Sequence, residues 1–195
     1  MSLPVAEQSY EALLEPHRWT ITEFEAMIEV GLITEESKVE LLDGIITKKM
    51  GTGPLHDFVL RRLMRMCNRR LGDEHEVGAQ SPVRLPPSSR PEPDLWVSRA
   101  GSGQHREATI EEADLALVIE VADSSIRRDE KVKLGIYARA GVPEFWIANV
   151  QREQITVYTQ PDATGGKYGR EVTYAATHDF DHALLGAVVV EGVFR

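Results

Sequence analysis

Two carboxylates and a lysine are the residues through which this chain could do chemistry. Glu120 lies inside Leu115-Ala116-Leu117-Val118-Ile119-Glu120-Val121, an apolar run that it alone interrupts. A short run of this kind reads as a strand covered on both faces. A carboxylate placed there costs several kcal/mol unless a metal, a cation or water compensates it. Asp94, in Pro93-Asp94-Leu95-Trp96-Val97, stands at the mouth of a second apolar strand. Asp129, Lys133 and Tyr137 follow at i, i+4 and i+8, one face of a helix, whereas Lys131 points elsewhere. Asp94 begins its strand and Glu120 ends its own, so antiparallel pairing would bring them to one sheet edge. Hard carboxylate oxygens suit magnesium, with manganese as a substitute. Two such acids beside a lysine are the parts of a metal-dependent phosphodiesterase.

Plainer readings stand beside this one. Asp94 suits the start of a strand, and Glu120 could escape to solvent at the end of one. Asp129 and Lys133 could form an exposed pair worth a few tenths of a kcal/mol. Arg127 and Arg128 are either solvated charges or contacts to a nucleic-acid backbone. His56, in Gly53-Pro54-Leu55-His56, suits a helix cap. His178 and His182 have metal-like spacing, but acids interleave them and no further ligand is near, so a solvated turn is expected.

The elements that must position these residues are legible in outline. Thr20 with Glu23 is a capping box that opens a helix ended by Gly31. Val39 to Ile46 reads as a hairpin around Asp43-Gly44. Phe58, Leu60, Leu63, Met64, Cys67 and Leu71 recur at helical spacing up to Gly72. Strands are expected over His75 to Leu85 and Asp94 to Val97, with Ala100 to Arg106 a surface loop. After the Glu120 strand, Asp129 to Ala140 reads as a helix stopped by Gly141 and Pro143, and Glu144 to Ala148 as a returning strand. Strand, helix and strand in succession imply a parallel pair. Gln154 to Tyr158, Tyr168 to Tyr174 and Ala187 to Phe194 read as antiparallel strands. The expected class is α/β: a mixed central sheet flanked by helices, with extra C-terminal antiparallel strands. Residues 1–19 form a lead-in and 20–195 a single domain.

Composition bounds the partners. The 195 residues carry 22 basic and 31 acidic side chains, a formal net charge of -9, which argues against avid non-specific binding of nucleic acid. No apolar run approaches the ~20 residues of a membrane span. Met1 to Glu15 lacks the basic start of a secretory signal, so a cytoplasmic location is expected. Cys67 is the only cysteine, which excludes an intramolecular disulfide. No Gly-rich phosphate loop is present, which disfavours nucleoside triphosphate chemistry.

Several segments carry a family resemblance: Val39-Glu40-Leu41-Leu42-Asp43-Gly44, Ser81-Pro82-Val83-Arg84-Leu85, Pro91-Glu92-Pro93-Asp94, Ile119-Glu120-Val121 with Asp123-Ser124-Ser125, Asp129 to Lys133, and Tyr137 to Trp146. Together, over about Thr20 to Tyr168, they resemble the Uma family, described as restriction endonucleases with the PD-(D/E)XK nuclease fold. The resemblance implies a restriction-endonuclease-like core, a magnesium site and phosphodiester cleavage in DNA. It makes Asp94 and Glu120 metal ligands, with the backbone carbonyl of Val121 completing the shell, and adds Glu40 as an N-terminal acid. His56, Arg127 and Arg128 would face nucleic acid. The wider nuclease pattern has a lysine two residues after the acid; here that residue is Ala122, and the resemblance moves the role to Lys133. Double-strand cleavage would favour a two-fold homodimer. The alternative is an inactive module of the same fold that binds nucleic acid or protein.

Overall fold

Alternation along the strand that carries Glu120 decides how the molecule is layered. In this computed structural model, which describes residues 16–49, 51–102, 109–123 and 129–195, that strand is β7, Leu115–Ala122. Leu117, Ile119 and Val121 pack on one side with Val59, Leu60, Leu63 and Cys67 of helix α2, Pro54–Arg70. Val118 and Ala122 pack on the other with Ile136 and Tyr137 of helix α3, Leu134–Arg139. Successive side chains of a strand point to opposite faces, so Glu120 shares the α3 side with Val118 and Ala122.

Eleven further strands and two further α-helices surround this axis among the described residues. Helix α1, Ile21–Glu29, opens with the expected capping box of Thr20 and Glu23. It buries Ile21 and Phe24 against Leu41 of the hairpin β1, Val39–Leu42, and β2, Ile45–Lys48. Asp43 and Gly44 turn that hairpin at φ 49° and 76°, the left-handed pair an Asp-Gly loop supplies. Short strands β3, Val77–Ala79, and β4, Val83–Arg84, precede β5, Leu95–Ser98; β6 is Ile110–Glu111. After α3 come β8, Glu144–Asn149, β9, Gln154–Asp162, and β10, Lys167–Ala175. The last strands are β11, Phe180–His182, and β12, Gly186–Val188, followed by the short helix α4, Glu191–Phe194.

The central sheet has the order β10-β9-β8-β7-β5-β3. β7 and β8 are parallel, as the strand-helix-strand succession requires, and the other neighbours are antiparallel. This is the expected mixed sheet with helices on both faces. No helix among the described residues is long and apolar enough to cross a membrane.

Three local expectations are corrected. Asp129 to Ala140 is not one regular helix: Asp129–Lys133 forms a π-helical turn before α3. Ala187 to Phe194 is not one strand, because the chain leaves β12 and coils into α4, burying Val190 and Val193 in the α2-side core. His182 is not solvated. Its Nε2 lies 3.2 Å from Glu144 Oε2, its Nδ1 accepts from the Leu185 N–H at 3.1 Å, and its ring stands edge-on to Trp146. His178 is exposed, as expected.

Candidate active site

β5 and β7 pair antiparallel with Leu95 opposite Ile119, so the next step of the register sets Asp94 across from Glu120. Asp94 stands just before β5, and its side chain continues the ladder: its Oδ2 accepts from the Val121 N–H at 2.8 Å. Its other oxygen, Oδ1, lies 3.0 Å from His56 Nε2, on the first turn of α2. Asp94 is thereby held from two elements at once.

Glu120 is 3% exposed, and the Lys133 ammonium donates to its Oε1 at 2.9 Å. The Tyr137 hydroxyl donates to the same oxygen at 2.8 Å. Lys133, 6% exposed, also lies 3.6 Å from Glu40 Oε2, and the Glu92 N–H donates to that oxygen at 3.3 Å. Thus β1, the residue just before β5, β7, the π turn and α3 bring Glu40, Asp94, Glu120, Lys133 and Tyr137 together. Ala122, two residues after Glu120 on the same face, is fully buried and packs with Ile136 and Tyr137 of α3.

The residues open onto one cleft, lined by Glu40, Asp94, Glu120, Asp129 and Lys133 with His56, Gln80, Glu92, Asp123 and the 51–52 segment. Burial pushes the Glu120 carboxyl well above the usual carboxylate range; Lys133 opposes this, and Asp94 and Asp129 reinforce it. Burial would lower the Lys133 ammonium, but Glu120, Glu40 and Asp129 outweigh it and raise it. For His56, burial is outweighed by hydrogen bonding and charge from Asp94 and then Asp57, so the imidazole is raised.

Asp94, Glu120, Glu40, Lys133 and His56 converge, and Val121 lies at the same edge. Lys131 is exposed, whereas Asp129 is buried, not half of a surface pair. Arg127 and Arg128 fall outside the described residues. Sequence reasoning gave no role to Gln80, Lys49 or Glu92, whose Lys49–Glu92 ion pair walls the cleft. Only the positive φ of Gln80, 48°, sets that residue apart, and a sequence does not print dihedrals.

Among the described residues, no three carboxylate, imidazole or thiol groups already form a metal-ligating cluster. The donor set nonetheless fits a divalent cation. Asp94 and Glu120 offer hard oxygens on adjacent strands. Carboxylates in the cleft outnumber its ammonium groups, and the site already draws one cation, Lys133, between Glu40 and Glu120.

The fold is thus a mixed sheet with helices on both faces, with two acids meeting where β5 and β7 pair. A solved structure described as a "putative nuclease belonging to DUF820" from Anabaena variabilis shares it, with a TM-score of 0.67 at 14% identity over 90% of this chain and 97% of that one. Residues 21–189 match Uma2, described as "Putative restriction endonuclease"; the chain belongs to that family. No curated protein matches it.

Proposed function

We propose that the protein is a divalent-cation-dependent nuclease that hydrolyses phosphodiester bonds in DNA. The observation that carries this reading is the meeting of Asp94, Glu120 and Lys133 in one cleft, in a chain of the Uma2 family. Magnesium, or manganese in its place, would be held by Asp94, Glu120 and the Val121 carbonyl, with Glu40 behind them. When bound, such a cation polarises a phosphoryl oxygen and acidifies a water.

The chain's own residues supply the rest. His56 and the Val121 N–H fix the Asp94 carboxylate, so little reorganisation is left for the moment of reaction. Tyr137 holds Glu120 from the apolar side. Lys133, on a long and flexible stem, places a positive charge where negative charge develops on the phosphoryl oxygens. Glu120, Glu40 and Asp129 raise that ammonium's pKa against its burial.

A second reading has one observation in its favour: Lys133 already neutralises Glu120, as it would in an inactive module that keeps the fold. Cleavage of supercoiled plasmid with magnesium, manganese or chelator decides between them. Nicking or linearisation only with the cation, lost in Glu120→Gln and Asp94→Asn, is the expected result. Cation-independent nicking, or either variant within about threefold of the parent, well under the ~1.4 kcal/mol that a tenfold change represents, would sink the assignment.

A further inference from the structure

Among the described residues, a row of positive charge lies away from the cleft. Helix α2 carries five arginines, Arg61, Arg62, Arg65, Arg69 and Arg70, against one acid, Asp57, in a chain of formal net charge -9. Two of them serve the fold. Arg62 donates to the carbonyls of Gly192 and Arg195, and Arg70 to those of Leu185 and Ala187, which ties the C-terminal segment to the helix. Arg61, Arg65 and Arg69 do not share that task. They are exposed, follow one another at i, i+4 and i+8, and make no ion pair with any described residue.

α2 packs inward through Val59, Leu60, Leu63 and Cys67, so the three guanidinium groups stand on its outer face. Each step along the row rises about 6 Å, and the row begins about 8 Å from His56 along the axis and ends about 20 Å from it. Beside it runs a groove between α2 and α4, walled by Arg62, Arg65, Arg69 and Arg70. Arginines at the last turn would gain from the helix dipole, but that accounts only for Arg69 and Arg70 and not for Arg61 or Arg65.

We propose that the outer face of α2, with Arg61, Arg65 and Arg69 and the groove beside them, binds the phosphate backbone of duplex DNA. This deepens the nuclease reading and rests on it for the identity of the polyanion. The acidic remainder of the chain repels such a ligand, so this face selects the side from which it approaches. Guanidinium is the group best matched to phosphate, and a linear row matches a linear polyanion better than a small anion. DNA held there is anchored on the helix whose first turn carries His56 to the cleft.

The test is fluorescence anisotropy of the full chain with a labelled duplex of about 30 base pairs, in chelator, over a range of sodium chloride concentrations. The triple variant Arg61→Gln, Arg65→Gln, Arg69→Gln is expected to lower the salt slope by about 0.9 per arginine and to weaken binding at low salt at least about tenfold. The corresponding triple Lys variant should keep the slope. If the Gln variant melts early, Arg65→Glu alone carries the same comparison. An unchanged slope and affinity, no binding by the parent protein, or binding to phosphatidylserine vesicles in place of DNA overturns the proposal. Because chelator removes cleavage from the assay, DNA binding through this row without cation-dependent nicking would overturn the nuclease reading alone. Nicking with binding unaltered in the Gln variant would overturn this surface alone.

Discussion

At the scale of single residues, Lys133 carries the sharpest expectation. Its partner Lys131 is exposed and two positions away, about 200° around a helix, so the two lysines separate cleanly. Lys133→Met should cut cleavage by orders of magnitude, with cation affinity little changed when measured by calorimetry. Lys131→Met should alter only the salt dependence of DNA binding. If the two variants exchange these behaviours, Lys133 is not the working lysine. Removing Lys133 also leaves buried acids without their ammonium, a change of about 3–5 kcal/mol when a buried pair is broken. Glu120 adds a pH dependence. Burial holds its native pKa well above the 4.5 of a free glutamate, so between the two values the folded protein keeps a proton that the unfolded chain releases. The contribution is therefore present below 4.5 and is lost as pH rises from there through the native value. In chelator, the melting temperature of the parent relative to Glu120→Gln should rise on acidification across that window. A flat difference would mean that Glu120 is ionised throughout.

At the scale of elements, β3 and β5 show a constraint that periodicity conceals. Gly78 is the register partner of Trp96, and a Cβ on it would fall 2.1 Å from the indole ring. The indole crosses the glycine to donate to Ser81 Oγ at 2.9 Å. Gly78→Ala must push the ring aside and should cost about 1–3 kcal/mol, as overpacking does. Chemical denaturation followed by tryptophan fluorescence measures both the loss and the altered environment. A variant as stable as the parent would show that the indole has room to move. The two misread elements have physical reasons. The π turn at Asp129–Lys133 differs from an α-helix by one residue per hydrogen-bonded ring, which side-chain spacing cannot register. Val188-Val189-Val190 has high β propensity, but the core against α2 takes Val190 and Val193 from a coiled chain end.

At the scale of the molecule, charge is distributed rather than merely summed. The acids gather at the sheet edge, and the arginines of α2 line its outer face. An edge with surplus carboxylates is unfavourable without a counter-ion, so millimolar magnesium or manganese should raise the melting temperature. The gain is about 2.7 kcal/mol at a hundredfold excess over the dissociation constant. Calcium should bind but support less cleavage, since its coordination is looser. A melting temperature indifferent to all three ions would favour the inactive module.

The sequence by itself determined the layering and the pair of acids. An apolar run broken once, and a second acid at a strand start, place Glu120 and Asp94 on neighbouring strands because side-chain alternation and antiparallel register are local rules. The four-residue spacing of Lys133 and Tyr137 likewise turned both toward Glu120. Only the tertiary structure decided what that face meets. Asp129 and Lys133 could have been a surface pair until α3 packed across β7 and the ammonium met Glu120. The same holds for His56 on Asp94 and for His182 beneath Trp146 and Glu144. Burial and partners are long-range properties, set by which elements pack together, and no window along the chain contains both sides of such a contact.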